Sequence, residues 1–193
     1  MGNIVISQNV SLDGVVEDPT GESGFEHGGW FDRFMTADDR PAWAAIEFAE
    51  AQSAKALLLG RRSDNYFGSR WNDATGDWAD RLRALPKYVV SSTLKNPVWV
   101  NSTVLSGDVG DDVSRLKDEI DGDIVVYASR ELVQTLLARD LVDELRLIVF
   151  PVVLGSGKRL FGGTFDPKAL RLLDAKPVGG NLSYVAYAVV RED

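Results

Sequence analysis

Ala56-Leu57-Leu58-Leu59-Gly60-Arg61-Arg62-Ser63 is the stretch on which the fold turns. Its unbroken apolar run suits a short buried strand, and Gly60 stops it. The polar residues beyond Gly60 open a helix, with Ser63 or Asp64 near its cap. A buried strand that runs straight into a helix is the repeating unit of a parallel sheet, because parallel neighbours need a crossover connection.

The same alternation extends in both directions. Asn3 to Val10 is β-branched and alternating, a strand that begins almost at residue 1. Pro41 suits a helix first turn, and Trp43 to Ser53 repeats apolar residues at helical spacing through Ile46, Phe48 and Ala49. Downstream, Tyr88-Val89-Val90 is a strand closed by Ser91-Ser92-Thr93, and Val98 to Val100 and Thr103 to Leu105 read as short strands. Asp111 to Ile120 is a helix with aspartate at its start and Gly122 beyond its end. Ile124 to Tyr127 is a strand, and Ser129 caps a helix running to about Ala138. Leu145 to Val153 reads as a continuous apolar strand in the middle of the sheet. After a glycine-rich stretch, 155–163, Leu170 to Ala175 and Tyr184 to Arg191 form two strands that pair antiparallel around Gly179-Gly180-Asn181. Residues 13–36 are a long loop rich in Gly, Asp and Glu, and a loop of that length in a compact domain is usually functional or mobile. No repeat, low-complexity block or linker interrupts the chain, so residues 1–193 read as one α/β domain with a mostly parallel sheet covered on both faces.

Composition narrows the chemistry. The 193 residues carry 21 Lys+Arg against 29 Asp+Glu, a formal charge of −8, and hydrophobic residues make up 45%. That acidic balance argues against nucleic acid or an anionic membrane as the main partner, while leaving room for a small anion in a local basic pocket. The absence of cysteine excludes disulfides, thiolate metal sites and a cysteine nucleophile, and the single histidine, His27, excludes a histidine-rich metal centre. No metal is therefore expected. The N-terminus lacks the basic region and cleavage site of a signal peptide, and no apolar run approaches the ~20 residues of a membrane span, so the expected location is the cytoplasm.

Three strand-to-helix junctions carry candidate chemistry. Gly60-Arg61-Arg62-Ser63 combines a tight turn with two guanidinium groups at a helix N-terminus, a place suited to phosphate, although the same residues also read as a capped turn with solvated arginines. Ser91-Ser92-Thr93 ends a strand in hydroxyls, and Ala128-Ser129-Arg130 again feeds a helix; each alone also fits ordinary turn or capping chemistry. Together, at the carboxyl ends of sheet strands, the three describe an anionic nucleotide cleft. Gly155-Ser156-Gly157-Lys158-Arg159 is not a Walker loop, because Val152 and Arg159 stand where glycine and a hydroxyl residue are required, and Leu160 spoils a dinucleotide fingerprint. Asp13, in Ser11-Leu12-Asp13-Gly14, is placed to bind the N–H groups of a heterocycle or relay a proton, or else to shape an Asp-Gly turn. Trp30 is suited to cover a planar ligand or to anchor its loop. His27 has a proton to give, but a lone loop histidine is ordinarily exposed and idle.

Read in order, Ser11-Leu12-Asp13-Gly14, Leu58-Leu59-Gly60-Arg61, Lys87-Tyr88-Val89-Val90-Ser91-Ser92, Asp143-Glu144-Leu145-Arg146-Leu147 and Pro151 to Phe161 resemble the dihydrofolate reductase-like fold. Within it they are similar to the group named after the C-terminal reductase domain of the bacterial bifunctional riboflavin-biosynthesis deaminase–reductase, over nearly the whole chain. The resemblance implies a three-layer αβα domain with antiparallel C-terminal strands that binds NADPH and passes hydride to a small pterin-, pyrimidine- or flavin-precursor-like heterocycle. It implies that Gly60, Arg61, Arg62 and Ser63 meet the cofactor phosphates, Ser91 and Ser92 the 2′-phosphate, and Ala128, Ser129 and Arg130 the pyrophosphate. Asp13, Trp30, Gly155 and Gly157 would then line the substrate side, with Asp13 the catalytic candidate, and two copies of the chain would pair through the late strands. Where relatives carry a Gly-Gly or Gly-Ser pair, this chain has Ala128-Ser129. A non-catalytic ligand-binding protein on the same scaffold and a flavin-type nucleotide binder remain alternatives at this point.

Overall fold

The computed structural model describes residues 1–162 and 165–191. Gly163, the last residue of the glycine-rich stretch, lies outside the described residues. In chain order the elements are β1 (Asn3–Ser11), α1 (Trp30–Arg33), α2 (Asp39–Ser53), β2 (Ala56–Gly60), α3 (Arg61–Trp71), α4 (Asp77–Ala84), β3 (Lys87–Val90), β4 (Ser102–Leu105), α5 (Val109–Glu119), β5 (Asp123–Tyr127), α6 (Arg130–Ala138), β6 (Glu144–Phe150), β7 (Ala169–Val178) and β8 (Leu182–Val190). They build an 8-stranded sheet in the order β4-β3-β2-β5-β1-β6-β8-β7. The pairs from β4 through β6 are parallel, and β8 pairs antiparallel with both β6 and β7. This is the three-layer, mostly parallel architecture expected.

Alternation within the buried strands sorts side chains to two faces. Ile4, Ile6, Leu58, Ile124 and Val126 pack against Val113 and Leu116 of α5 and Val133, Leu136 and Leu137 of α6. Val5, Leu57, Leu59 and Val125 face Ala51 of α2 and Leu82 of α4 on the opposite side. A third cluster gathers around the first helix, where Trp30 and Met35 meet Ile148, Phe150, Val178 and Leu182. The central strands β2 and β5 are apolar on both faces because each face has its own helical layer.

Several boundaries differ from the sequence reading for identifiable reasons. Val98 to Val100 is not a strand: the buried carboxylate of Asp64 accepts the N–H groups of Val98 (2.7 Å) and Trp99 (3.1 Å), so these donors are unavailable to a ladder. The apolar run from Leu145 ends as a strand at Phe150, since Pro151 brings no N–H. α3 begins directly at Arg61, so neither Ser63 nor Asp64 is its cap. The helix α4 has no counterpart in the sequence reading, and the long loop contains the short α1.

Candidate active site

β2 and β5 pair only at Ala56–Ile124 and Leu57–Val125 and then part. Their carboxyl ends lead into α3 and α6, after which the chain moves to β3 in one direction along the sheet and to β6 in the other, so a hollow opens where the strand order reverses. On one side lies a groove of about 320 Å³ lined by Gly60, Arg61, Arg62, Ser91, Ser92 and Thr93, with Val90, Val109 and Leu132 as its apolar wall. Arg61 Nη1 donates to Thr93 Oγ1 (3.2 Å), and the exposed Arg62 faces Glu131 at 3.3 Å, a contact of little strength in water. Guanidinium and hydroxyl donors beside an apolar wall fit a phosphorylated nucleoside.

The sequence-predicted phosphate residues therefore divide. Gly60, Arg61, Arg62, Ser91 and Ser92 gather in the groove, whereas Ala128, Ser129 and Arg130 line the adjoining cavity. Ser63 is buried and joins the two. Ser129 does not cap α6 with its side chain; its backbone is left-handed (φ 52°), and its hydroxyl accepts the Gly60 N–H (3.0 Å) and meets Ser63 Oγ at 2.9 Å. Ser63 Oγ in turn accepts the Ser129 N–H (3.1 Å). Ala128 is left-handed too (φ 49°), and Gln8 Nε2 donates to its carbonyl at 2.6 Å. A left-handed non-glycine residue costs roughly 1–2 kcal/mol, so these bonds hold a turn that local preference opposes.

The cavity measures about 490 Å³. β1 runs past the end of β5, since Ser7 lies beside Tyr127, and Gln8 and Asn9 thereby reach its floor. Phe31, Trp43, Phe67, Trp71, Trp78 and Trp99 supply aromatic walls. Trp43 Nε1 donates to Asn9 Oδ1 (2.9 Å), and its ring meets Phe31 and Trp78 at 5.0 and 5.7 Å. The outer rim is held by Glu22, ion-paired with Arg70, and by Tyr66, whose hydroxyl donates to Thr20 at 3.3 Å.

Glu47 of α2 opens into this cavity, 8% exposed and without a hydrogen-bond partner among the described residues. Burial, with the nearby Glu50 charge adding to it, pushes its carboxyl up to about 8. Glu50 instead has Arg146, whose Nη1 donates at 3.1 Å, with the hydroxyls of Ser7 and Tyr127 beside it. The same guanidinium serves Asp123 (2.8 Å) and Glu144 (2.7 Å). One cation answers three carboxylates, and none is left for Glu47.

The residues expected on the substrate side are placed elsewhere. Asp13, Trp30, Gly155, Gly157 and His27 do not line the cavity. Asp13 fastens the segment after β6: it accepts the N–H groups of Leu154 (3.0 Å) and Gly155 (2.9 Å) and the Ser11 hydroxyl (2.7 Å), with Arg159 at 3.3 Å. Burial alone would raise its proton affinity, but those hydrogen bonds bring it down to about 2, which suits a fixed anion rather than a proton relay. Trp30 is fully buried, its Nε1 donating to Glu17 O at 2.8 Å, and so anchors the loop. Gly157 packs against Phe25 and Val15, where a Cβ would approach to 2.8 Å. His27 stands edge-on to Phe25. Sequence reasoning missed Glu47 and its aromatic surround. The available signal was an acid one turn from Trp43 and Glu50, on the apolar stripe of a helix, where a solvated charge has no place.

Comparison with known proteins gives the same architecture. The model of the RibD C-terminal domain family matches residues 3–184. The uncharacterized protein YyaP of Bacillus subtilis is 25% identical over 189 residues, covering 95% of this chain and 93% of its own. Among solved structures, a riboflavin-biosynthesis-type protein of Shewanella sp. PV-4 superposes with a TM-score of 0.75 at 20% identity, covering 98% of this chain and 99% of that one. A dihydrofolate reductase of Enterococcus faecalis, in complex with NADP(H), superposes with a TM-score of 0.57 at 13% identity, covering 97% and 96% of the two chains.

Proposed function

The chain belongs to the RibD C-terminal domain family, and from that membership we propose that it is an NADPH-dependent reductase of a small heterocycle, pterin-like or pyrimidine- and flavin-precursor-like, acting in the cytoplasm. The observation that carries the reading is that one helix walls both hollows. Arg130 of α6 lines the aromatic cavity, and Glu131, Leu132 and Thr135 of the same helix line the basic groove. A nucleotide gripped in the groove thus has a ring-binding chamber within one helical turn.

The groove's donors fit the cofactor's phosphates. Arg61, Arg62, Ser91 and Ser92 offer bidentate cations and hydroxyls, the set that separates a 2′-phosphate from a bare ribose. A Cβ on Gly60 would meet protein only at 3.9 Å, so the floor there is open to a phosphate. NADPH, when bound, supplies the hydride. The chain's own part is to hold both reactants, exclude water with the rings of Trp43, Trp78 and Phe31, and present the Glu47 carboxyl to the heterocycle.

Tryptophan fluorescence titration tests the cofactor. NADPH should bind at least tenfold more tightly than NADH, and Arg61→Ala with Arg62→Ala should weaken NADPH by about tenfold or more, the worth of charged hydrogen bonds. Absence of binding at millimolar NADPH would overturn the reading. A second copy of the chain is the partner proposed for β7, on which Leu170, Leu172 and Leu173 are exposed. Light scattering should then give a dimer of the 21.2 kDa chain, and a monomer mass would remove the pairing.

A further inference from the structure

We propose that the cavity accepts an uncharged, unphosphorylated planar heterocycle, packed among its aromatic rings and read along one amide-like edge by the Glu47 carboxyl in its neutral form. The inference rests on the reductase reading above and narrows its substrate.

The first ground is charge. Among the described residues the cavity is lined by two cations, Arg70 and Arg130, against the carboxyl groups of Asp18, Glu22 and Glu47. Arg70 is committed: it pairs with Glu22, donates to Tyr66 O (3.1 Å) and lies over the Tyr66 ring at 3.6 Å. Arg130 donates through Nε to Arg159 O (2.7 Å) and sits on the wall shared with the groove. A substrate phosphate inside the cavity would find only Arg130, at the wall shared with the groove, and would face three acids, whereas the groove gathers Arg61 and Arg62. The chain thus sends anionic groups to one hollow and keeps them out of the other.

The second ground is the acid itself. Glu47 is more than nine-tenths buried, lines the cavity and has no hydrogen-bond or ion-pair partner among the described residues. Its neighbour one turn along, Glu50, is also pushed up by burial but has Arg146 facing it, a cation already shared with Asp123 and Glu144. An ionised Glu47 would be a buried anion without a counter-charge, so the proton stays. A carboxylic acid both donates and accepts, which matches an adjacent N–H and C=O on a ring edge. An ionised carboxylate would only accept, and would select cationic or donor-only edges.

The third ground is shape. Rings of Phe31, Trp43, Trp78, Phe67 and Trp99 surround a volume within the range of small-molecule sites, and flat apolar faces favour stacking.

Equilibrium binding without NADPH tests the inference on the whole chain, using lumazine, riboflavin and riboflavin 5′-phosphate as probes. Lumazine and riboflavin should bind, and adding the phosphate to riboflavin should weaken binding by about tenfold or more, the cost of burying an unpaired charge. Glu47→Gln, which keeps one donor and one acceptor, should retain affinity within about threefold, while Glu47→Leu should lose about tenfold, one hydrogen-bonded edge. Equal or tighter binding of the phosphorylated ring, no binding of either ring at saturation, or equal losses in the two variants would each overturn it. The comparison of riboflavin with its phosphate needs no variant, so it stands if a substitution impairs folding. NADPH binding with no ring binding would overturn this inference alone, and ring binding by a protein that fails to bind NADPH when it is titrated separately would overturn the reductase reading.

Discussion

Asp39→Ala should lower the stability of the fold by about 3 kcal/mol or more, because several buried donors lose their acceptor at once and each costs about 1–3 kcal/mol. The carboxylate of Asp39 is fully buried at the start of α2. It accepts the N–H (2.8 Å) and hydroxyl (2.7 Å) of Thr36 on one oxygen, and the N–H groups of Gly180 (2.7 Å) and Asn181 (3.0 Å) on the other. It therefore pins the helix that carries Glu47 to the turn between β7 and β8. Gly179 lies so close that a Cβ would come within 2.5 Å of the Asp39 backbone, so that turn has no room to readjust. Burial would raise the proton affinity of Asp39, but the bonds from Thr36, Asn181 and Gly180 prevail and hold it well below the usual carboxylate range. A depressed folded-state value means that its stabilisation is present above the unfolded-state pKa and is lost as pH falls through the folded one. Urea unfolding of both proteins should show the gap at neutral pH and its shrinkage in acid. A difference under about 1 kcal/mol at pH 7 would contradict the role.

Trp30→Ala should cost about 3–5 kcal/mol, the usual range for removing a fully buried large aromatic. Its ring meets Phe150 edge-on at 5.2 Å within the cluster formed by Met35, Ile148, Val178 and Leu182. The indole N–H to Glu17 O is lost as well, which frees the segment leading to the cavity rim. A tryptophan that merely covered a ligand would be replaceable with little change in the unfolding midpoint. That outcome in a urea titration would remove the anchoring role.

The strands were legible because burial on both faces leaves one signature, an unbroken apolar run, and Leu57-Leu58-Leu59 and Ile124-Val125-Val126 carry it plainly. The helix α4 was not, since Asp77-Trp78-Ala79-Asp80-Arg81-Leu82-Arg83-Ala84 shows only one narrow apolar line among charges. Val98-Trp99-Val100 has the composition of a strand, and only the distant carboxylate of Asp64 diverts its donors. The groove residues were legible as a set because each follows the carboxyl end of a strand, a position fixed by topology. The cavity was not, because Glu47 looks like any surface glutamate until Arg146, about a hundred residues on, is seen to be spent on Glu50. Asp13 and Trp30 have the right chemistry for a site, yet their bonds go to Leu154, Gly155 and Glu17, and nothing local announces those partners.

The mutual bonding of Ser63, Ser129 and Gly60 has a consequence for how the groove and cavity take a ligand. The N–H groups of Gly60 and Ser129 and the Ser129 hydroxyl already have partners within the junction, which holds its shape. A ligand arriving there exchanges one set of hydrogen bonds for another, and each exchange is worth little net enthalpy. Recognition at that point is then a matter of template rather than of glue: the junction contributes a rigid contour, and a molecule that does not match it has nothing to gain by distorting it.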